Sequence, residues 1–234
     1  MSRPSVRNVA LIDRPIWSSL STAHADLSVG DELARRYRPD INLFVSARDD
    51  SDEALDRLTR LVNPGEQLFI LQAPEIRLPR KLVAVKRALG VQMVAAEPIV
   101  ADANDEDVIP LGETDAEEML ALATLTQPGP FLRYTYRMGN FVGIHIGGRL
   151  AAMAGERFRF PGYTEVSGVC THPDFRGRGL ARRLSRLVAS RIAARGDIAF
   201  LHAWKTNIAA ITLYESLGFE LRCDVNVAVL ARQT

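Results

Sequence analysis

The chain has 234 residues, 47% of them apolar and 24% charged, with a formal net charge of +1. That is enough apolar material for one large domain or two small ones, and so balanced a charge gives no general attraction to nucleic acid or to an anionic membrane. The two cysteines, Cys170 and Cys223, lack CxxC spacing, so they signal neither a metal site nor a disulfide framework and fit the cytoplasm; no apolar run reaches the ~20 residues that span a bilayer, and the amino terminus, with a charge inside a short apolar patch, makes a poor signal peptide.

In chain order, INLFVSA (41–47) is strand-like, and DSDEALDRLTRLV (50–62) places Leu55, Leu58, Leu61 and Val62 at helical spacing behind an acidic start. NPGE is a turn and QLFILQA (67–73) a second strand. RKLVAVKRALG (80–90) reads as a short helix with Gly90 as its C′ residue, and VQMVAAEP (91–98) as a third strand. This alternation predicts an α/β layer. The acidic stretch Ala101–Val108 marks a boundary between residues 1–105 and 106–234. After it, TDAEEMLALATLTQ (114–127) predicts a helix capped by Thr114 or Asp115, broken by PGPF (128–131). NFVGIHIGGRLAAMAGERFRF (140–160) predicts a hairpin turning at Gly147-Gly148, and GYTEVSGVCTH (162–172) a further strand. GLARRLSRLVASRIAARG (179–196) is the clearest amphipathic helix, IAFLHAW (198–204) a strand, NIAAITLYESLG (207–218) a helix, and FELRCDVNVAVLA (219–231) one or two strands.

Between the strand ending at Thr171 and the helix from Leu180 lies Arg176-Gly177-Arg178-Gly179-Leu180-Ala181. Strand, glycine loop and helix together bind phosphate, because the first turn of a helix has free N–H groups and the positive dipole end. A Walker loop would need a Gly-Lys-Ser/Thr end, which is absent, and a GxGxxG dinucleotide loop would need glycine where Arg182 stands. The coenzyme A pattern Gln/Arg-x-x-Gly-x-Gly/Ala is met at every defined position, by Arg176, Gly179 and Ala181. Arg176, Arg178, Arg182 and Arg183 crowd a positive helix end, a conflict that a polyanion would resolve; the bland alternative is a solvated arginine-rich face.

With VCTHP before the loop and N-x-x-A-x-x-L-Y-E-x-L-G-F (Asn207–Phe219) after the next strand, residues 106–234 resemble the GCN5-related N-acetyltransferase (GNAT) superfamily, close to its FR47-like branch. The resemblance implies a mixed α/β (α+β) fold: a mostly antiparallel twisted sheet flanked by helices, with two neighbouring strands splayed. It implies acetyl transfer from acetyl-CoA to a primary amine by direct attack in a ternary complex, without a metal. Arg176, Gly177, Arg178, Gly179, Leu180 and Ala181 would hold the pyrophosphate, Val169, Cys170, Thr171 and Asn207 the pantetheine side, and the Val169 N–H the thioester carbonyl. Glu165 matches the carboxylate base, with a pKa expected to be raised by burial, and Tyr214 the acid that protonates the leaving thiolate. His145, Glu156 and His202 stand in reserve as bases, and Cys170 reads as a small buried residue rather than a nucleophile.

Phe131, Arg133, Tyr134, His145 and Glu165 are the candidate acceptor-binding residues, with Tyr136 and Arg137 beside them. The FR47-like resemblance implies a small amine or amino acid more than a protein. Residues 1–105, which carry no coenzyme loop, are expected to be an accessory α/β region or a degenerate acyltransferase-like half, in a monomer or homodimer. The rival reading is a non-catalytic acyl-CoA-binding regulatory protein on the same fold.

Overall fold

The computed structural model describes residues 9–101 and 105–233. The signal-peptide expectation rests partly on residues 1–8, and the acidic boundary includes 102–104; both stretches lie outside the described residues. Two short helices, α1 (Val9–Asp13) and α2 (Pro15–Leu20), lead the chain. Pro15 sits in the first turn of α2, where its missing N–H costs no intrahelical bond. Strands β1 (Ser28–Gly30), β2 (Ala34–Tyr37) and β3 (Val45–Ala47) form a small antiparallel sheet. Strand β3 is shorter than the expected 41–47, and Phe44 makes only an isolated bridge to Phe69. Helix α3 (Asp52–Leu61) starts where its sequence says: the Ala54 N–H donates to Ser51 Oγ at 3.3 Å, and Asp52 and Glu53 meet the positive dipole end.

The remaining elements are β4 (Leu68–Gln72), β5 (Leu82–Ala95), β6 (Ile109–Leu111), α4 (Ala116–Thr126), β7 (Phe141–Ile146), β8 (Arg149–Phe160), β9 (Tyr163–Thr171), α5 (Leu180–Ala194), β10 (Ile198–Trp204), α6 (Ile208–Glu215) and β11 (Phe219–Arg232). All eight strands join one mixed sheet in the order β4-β11-β5-β10-β9-β8-β7-β6. Only β9 and β10 run parallel, joined by the α5 crossover. The hairpin turn at Gly147 and Gly148 has φ of 59° and 75°, the left-handed pair that matches strand twist. The last segment is one strand, not two.

The helix expected over 80–90 is instead the first part of the fourteen-residue strand β5. It pairs with β11 from Leu82 opposite Arg232 to Ala95 opposite Phe219. Residues 83–89 are largely exposed, so no alternation of buried and exposed positions marks the strand. The ladder and the β-branched Val83 and Val85 override an apolar spacing that also fits a helix.

Helices α5 and α6 cover one face of the sheet through Leu184, Val188, Ile192 and Tyr214, with Leu217 just beyond α6, packed on Val142, Ala152, Ala154 and Val166. Helix α4 covers the opposite face, where Met119 and Leu122 meet Phe141, Met153 and Cys170. The leading helices cluster with Phe158, Phe160 and Phe200.

The feature that positions the site is a divergence. Strands β9 and β10 pair only from Tyr163/Ile198 to Glu165/Phe200, and beyond that both continue unpaired with each other. Gly168 has φ +63°, and the β8–β9 register shifts across this point. A Cβ at Gly168 would sit 2.8 Å from the Phe141 ring, so the bulge needs glycine both for its backbone and for its neighbour.

Candidate active site

A cavity of about 240 Å³ opens at this divergence. Its walls include Val169 of β9, His202, Ala203 and Trp204 of β10, and Asn207, Ala210 and Tyr214 at α6. Thr126 at the end of α4, the loop 127–130 and Arg157 also line it, with the apolar Phe44, Phe69, Leu71, Val225 and Val227. Just past the end of β9 the His172 N–H donates to Ala151 O of β8 at 2.8 Å. Strand alternation then turns the N–H groups of Val169 and Thr171 to the other edge, which faces the gap. The Thr171 hydroxyl is buried and has no hydrogen-bond partner among the described residues.

The gap leads to the loop before α5. Gly179 is the N-cap residue with φ +74°, Gly177 has φ +75°, and no side chain caps the helix. A Cβ added at either glycine would meet nothing within 4 Å, so open space lies against the first turn of the helix. Arg176 and Arg178 are exposed, and the Arg178 guanidinium rests 5.3 Å from the Phe175 ring centroid. The other two arginines have structural partners. Arg182 donates to Ser216 Oγ at 2.6 Å, and Arg183 pairs with Asp105 at 3.0 Å and with Asp107.

Glu165 is fully buried, and both of its oxygens are engaged. Arg157 donates from Nε to Oε2 at 2.7 Å and from Nη2 to Oε1 at 2.6 Å, and the Phe158 N–H reaches Oε2 at 3.3 Å. His202 Nδ1 lies 2.7 Å from Oε1. The proton positions follow from the chain beyond. Arg222 donates to Gln92 Oε1 at 2.6 Å, so the Gln92 amide nitrogen donates to Ile12 O and to His202 Nε2 at 3.0 Å. His202 therefore carries its proton on Nδ1 and donates it to Glu165.

The expectation of a raised Glu165 pKa is overturned. Burial is the largest single influence and pushes the carboxyl up, but the charge and hydrogen bonds of Arg157, together with the His202 hydrogen bond, outweigh it and hold the pKa at about 2. His202 is lowered, first by burial. A carboxylate so held has no open oxygen and little affinity for a proton near neutrality.

Residues 141–229 match the sequence pattern of the family described as FR47-like protein. Over 84 residues the chain is 37% identical to N-alpha-acetyltransferase RimI of Mycobacterium tuberculosis; the match covers 35% of this chain and spans about half, 52%, of that relative. A GCN5-related N-acetyltransferase from Kribbella flavida shares the fold at 17% identity, with a TM-score of 0.62 over 95% of this chain and 96% of that one. The deciding likeness is a solved structure of a candidate acetyltransferase of the GNAT family from Novosphingobium aromaticivorans: 41% identity, a TM-score of 0.88, and coverage of 95% of this chain and 98% of that one. The chain belongs to the GNAT family.

The residues that the GNAT resemblance singled out divide into two groups. Val169, Asn207 and Tyr214 share the cavity wall, while Thr171 and the glycine loop lie along the same edge and continue it. Tyr214 is raised to about 12, first by burial and then by the Glu165 charge. Asn207 caps α6, accepting from the Ala210 N–H at 3.2 Å. Cys170 is buried toward α4, and burial raises its thiol to about 11.

The second group lies off the cavity. His145 pairs with Glu118 at 2.8 Å, Arg133 with Glu117 at 2.5 Å, and the buried Glu156 with Arg195 at 2.7 Å. Phe131 packs on Phe141 and borders a smaller recess with Gly168, and Tyr134 packs beside Tyr136. Sequence reasoning missed Arg157, Phe44, Phe69 and Gln92. Arg157 lies on β8 across a register irregularity from Glu165, which sequence spacing does not reveal. Among the described residues no group of three or more His, Cys, Asp or Glu side chains is placed to hold a metal ion, and no helix is long and apolar enough to cross a membrane.

Proposed function

We propose that the protein is an acetyl-CoA-dependent N-acetyltransferase that acts on a small amine or amino acid by direct transfer, in the cytoplasm. One observation carries this reading: the unpaired N–H edge of β9 faces a cavity and ends at an uncapped helix start with open space against it. Bound acetyl-CoA supplies the acetyl group as an activated thioester. The residues present fit it: the N–H groups at the start of α5, with Arg176 and Arg178, suit a diphosphate. The Val169 and Thr171 N–H groups suit the amide-rich arm and the thioester oxygen, and the Thr171 hydroxyl, unpartnered among the described residues, has a donor or acceptor to gain.

Tyr214 keeps its proton through the physiological range and holds it at the cavity wall for the departing sulfur. Glu165 is a positioning residue: it fixes Arg157 and the His202 tautomer. Among the described residues the cavity wall carries no carboxylate side chain; the acceptor attacks as its neutral amine, the carbon–sulfur bond breaks, and the proton the nitrogen loses replaces the one Tyr214 gives to the thiolate. The same feature favours a second reading, a non-catalytic acyl-CoA-binding regulatory protein.

Calorimetry with coenzyme A and acetyl-CoA, followed by thiol release against pooled amines, amino acids and peptides, tests both. Binding with turnover is expected. Absence of binding defeats both readings, and binding without turnover of any acceptor leaves the second.

A further inference from the structure

Arg157 is 12% exposed, and two of its three nitrogens are committed to Glu165. The third, Nη1, makes no hydrogen bond among the described residues. The side chain lines the cavity, and a Cβ at Gly129 would lie 3.7 Å from Nη1, so the missing side chain of that glycine leaves the nitrogen approachable. The guanidinium carbon lies over two rings that meet edge-on at 75°, 4.9 Å from the Phe44 centroid and 4.5 Å from that of Phe158. Glu165 is itself locked by His202, which is locked through Gln92 by Arg222. A largely buried guanidinium nitrogen with its N–H bonds unspent, on a rigid side chain that lines a cavity, is a ready receptor for an oxygen anion.

The wall beside it is apolar: Phe44 and Phe69 in edge-to-face contact at 6.0 Å, with Leu71, Val225 and Val227. The first three of these residues come from the first third of the chain.

We propose, building on the acetyltransferase reading, that the acceptor is a free α-amino acid with an aromatic or large aliphatic side chain, its carboxylate on Arg157 Nη1 and its side chain against Phe44 and Phe69. The α-amine is then left toward the Val169 edge of the same cavity. A peptide with the same first residue offers an amide where the carboxylate should be, so the proposal separates free amino acids from protein N-termini.

The test uses the full chain and acetyl-CoA. Thiol release is compared for L-phenylalanine and L-leucine, their carboxamides, glycine, and a short peptide beginning with phenylalanine. A charge-assisted bond to Arg157 predicts kcat/KM roughly 10-fold to 100-fold higher for the free acid than for the carboxamide or peptide. Burial of the side chain predicts a similar advantage over glycine. The paired variant Arg157→Gln with Glu165→Gln keeps a neutral hydrogen-bonding pair without stranding a charge. It should bind coenzyme A as before while the acid-to-amide ratio falls to within about threefold of unity. Equal use of carboxamide or peptide, a preference for glycine, or an unchanged ratio in the paired variant overturns the proposal. If acetyl-CoA binds and none of the free acids is acetylated, this inference alone fails; if acetyl-CoA does not bind, the acetyltransferase reading fails and takes this one with it.

Discussion

Glu165 sets two measurable properties through one geometry. Its pKa in the fold is about 2 against an ordinary 4.5, so the native state favours the carboxylate and its contribution to stability is present above pH 4.5. It is lost as pH falls toward 2, by about 3 kcal/mol over that window. The histidines act in the same direction at higher pH: burial lowers His202, and it lowers His24 from 6.5 to about 4, so both favour the neutral ring in the fold and stability begins to fall below pH 6.5. Urea unfolding across pH 2–7 should therefore show two stages of loss. Glu165→Gln at pH 7 strands the Arg157 charge and should cost about 3 kcal/mol or more, read as a lowered urea midpoint. An unchanged midpoint would mean that the pair is not formed. Tyr214 makes a different prediction, since its raised pKa keeps the phenol protonated. Tyr214→Phe should leave the acetyl-CoA affinity intact and slow turnover about 100-fold; equal turnover in both forms would reduce Tyr214 to a packing aromatic.

The elements that bear the chemistry were the most legible in sequence. Helix α5, the glycine loop and strands β9 and β10 carry strong local signals: one-sided apolar spacing, two glycines, β-branched runs. Strand β5 was not legible, because its solvent-exposed half lacks alternation and its identity comes from a partner, β11, more than a hundred residues away. The fates of Arg182 and Arg183 were equally hidden, since Ser216 and the acidic Asp105 and Asp107 reach them only in the fold. The loop before α5 gives the prediction at this scale. Gly179→Ala meets no neighbour, so its stability cost is that of a left-handed alanine, about 1 kcal/mol. The added methyl points into the space against the helix start and should weaken coenzyme A binding about 10-fold or more. Gly65→Ala, at φ +78° with equally open surroundings, is the matched control and should leave binding unchanged. Equal coenzyme A affinity in both variants would move the diphosphate away from this loop.

At the scale of the molecule, the first hundred residues are woven into the sheet that carries the site. Strand β5 lies between β10 and β11, and β4 is the outer neighbour of β11. Every strand partner of β11 therefore comes from before residue 105, and so does the partner on one side of β10. The Gln92 amide that fixes His202 sits on β5, and Asp13 pairs with Arg222 at 2.5 Å from α1. The same segment supplies Phe44 and Phe69 to the cavity. A fragment of residues 106–234 would keep the coenzyme loop and every residue singled out by the GNAT motifs, yet would expose both edges of β11 to water. An edge of that length, rich in valine, has no protection against association with another chain. The fragment should show no cooperative unfolding transition, bind coenzyme A at least 100-fold more weakly than the full chain, and aggregate at micromolar concentration. Co-expression of residues 1–105 as a separate chain should restore both the transition and the binding, because the missing strands return to their places by pairing alone. A soluble, cooperatively folding fragment that binds coenzyme A unaided would show instead that the shared sheet is an embellishment on a self-sufficient carboxy-terminal unit.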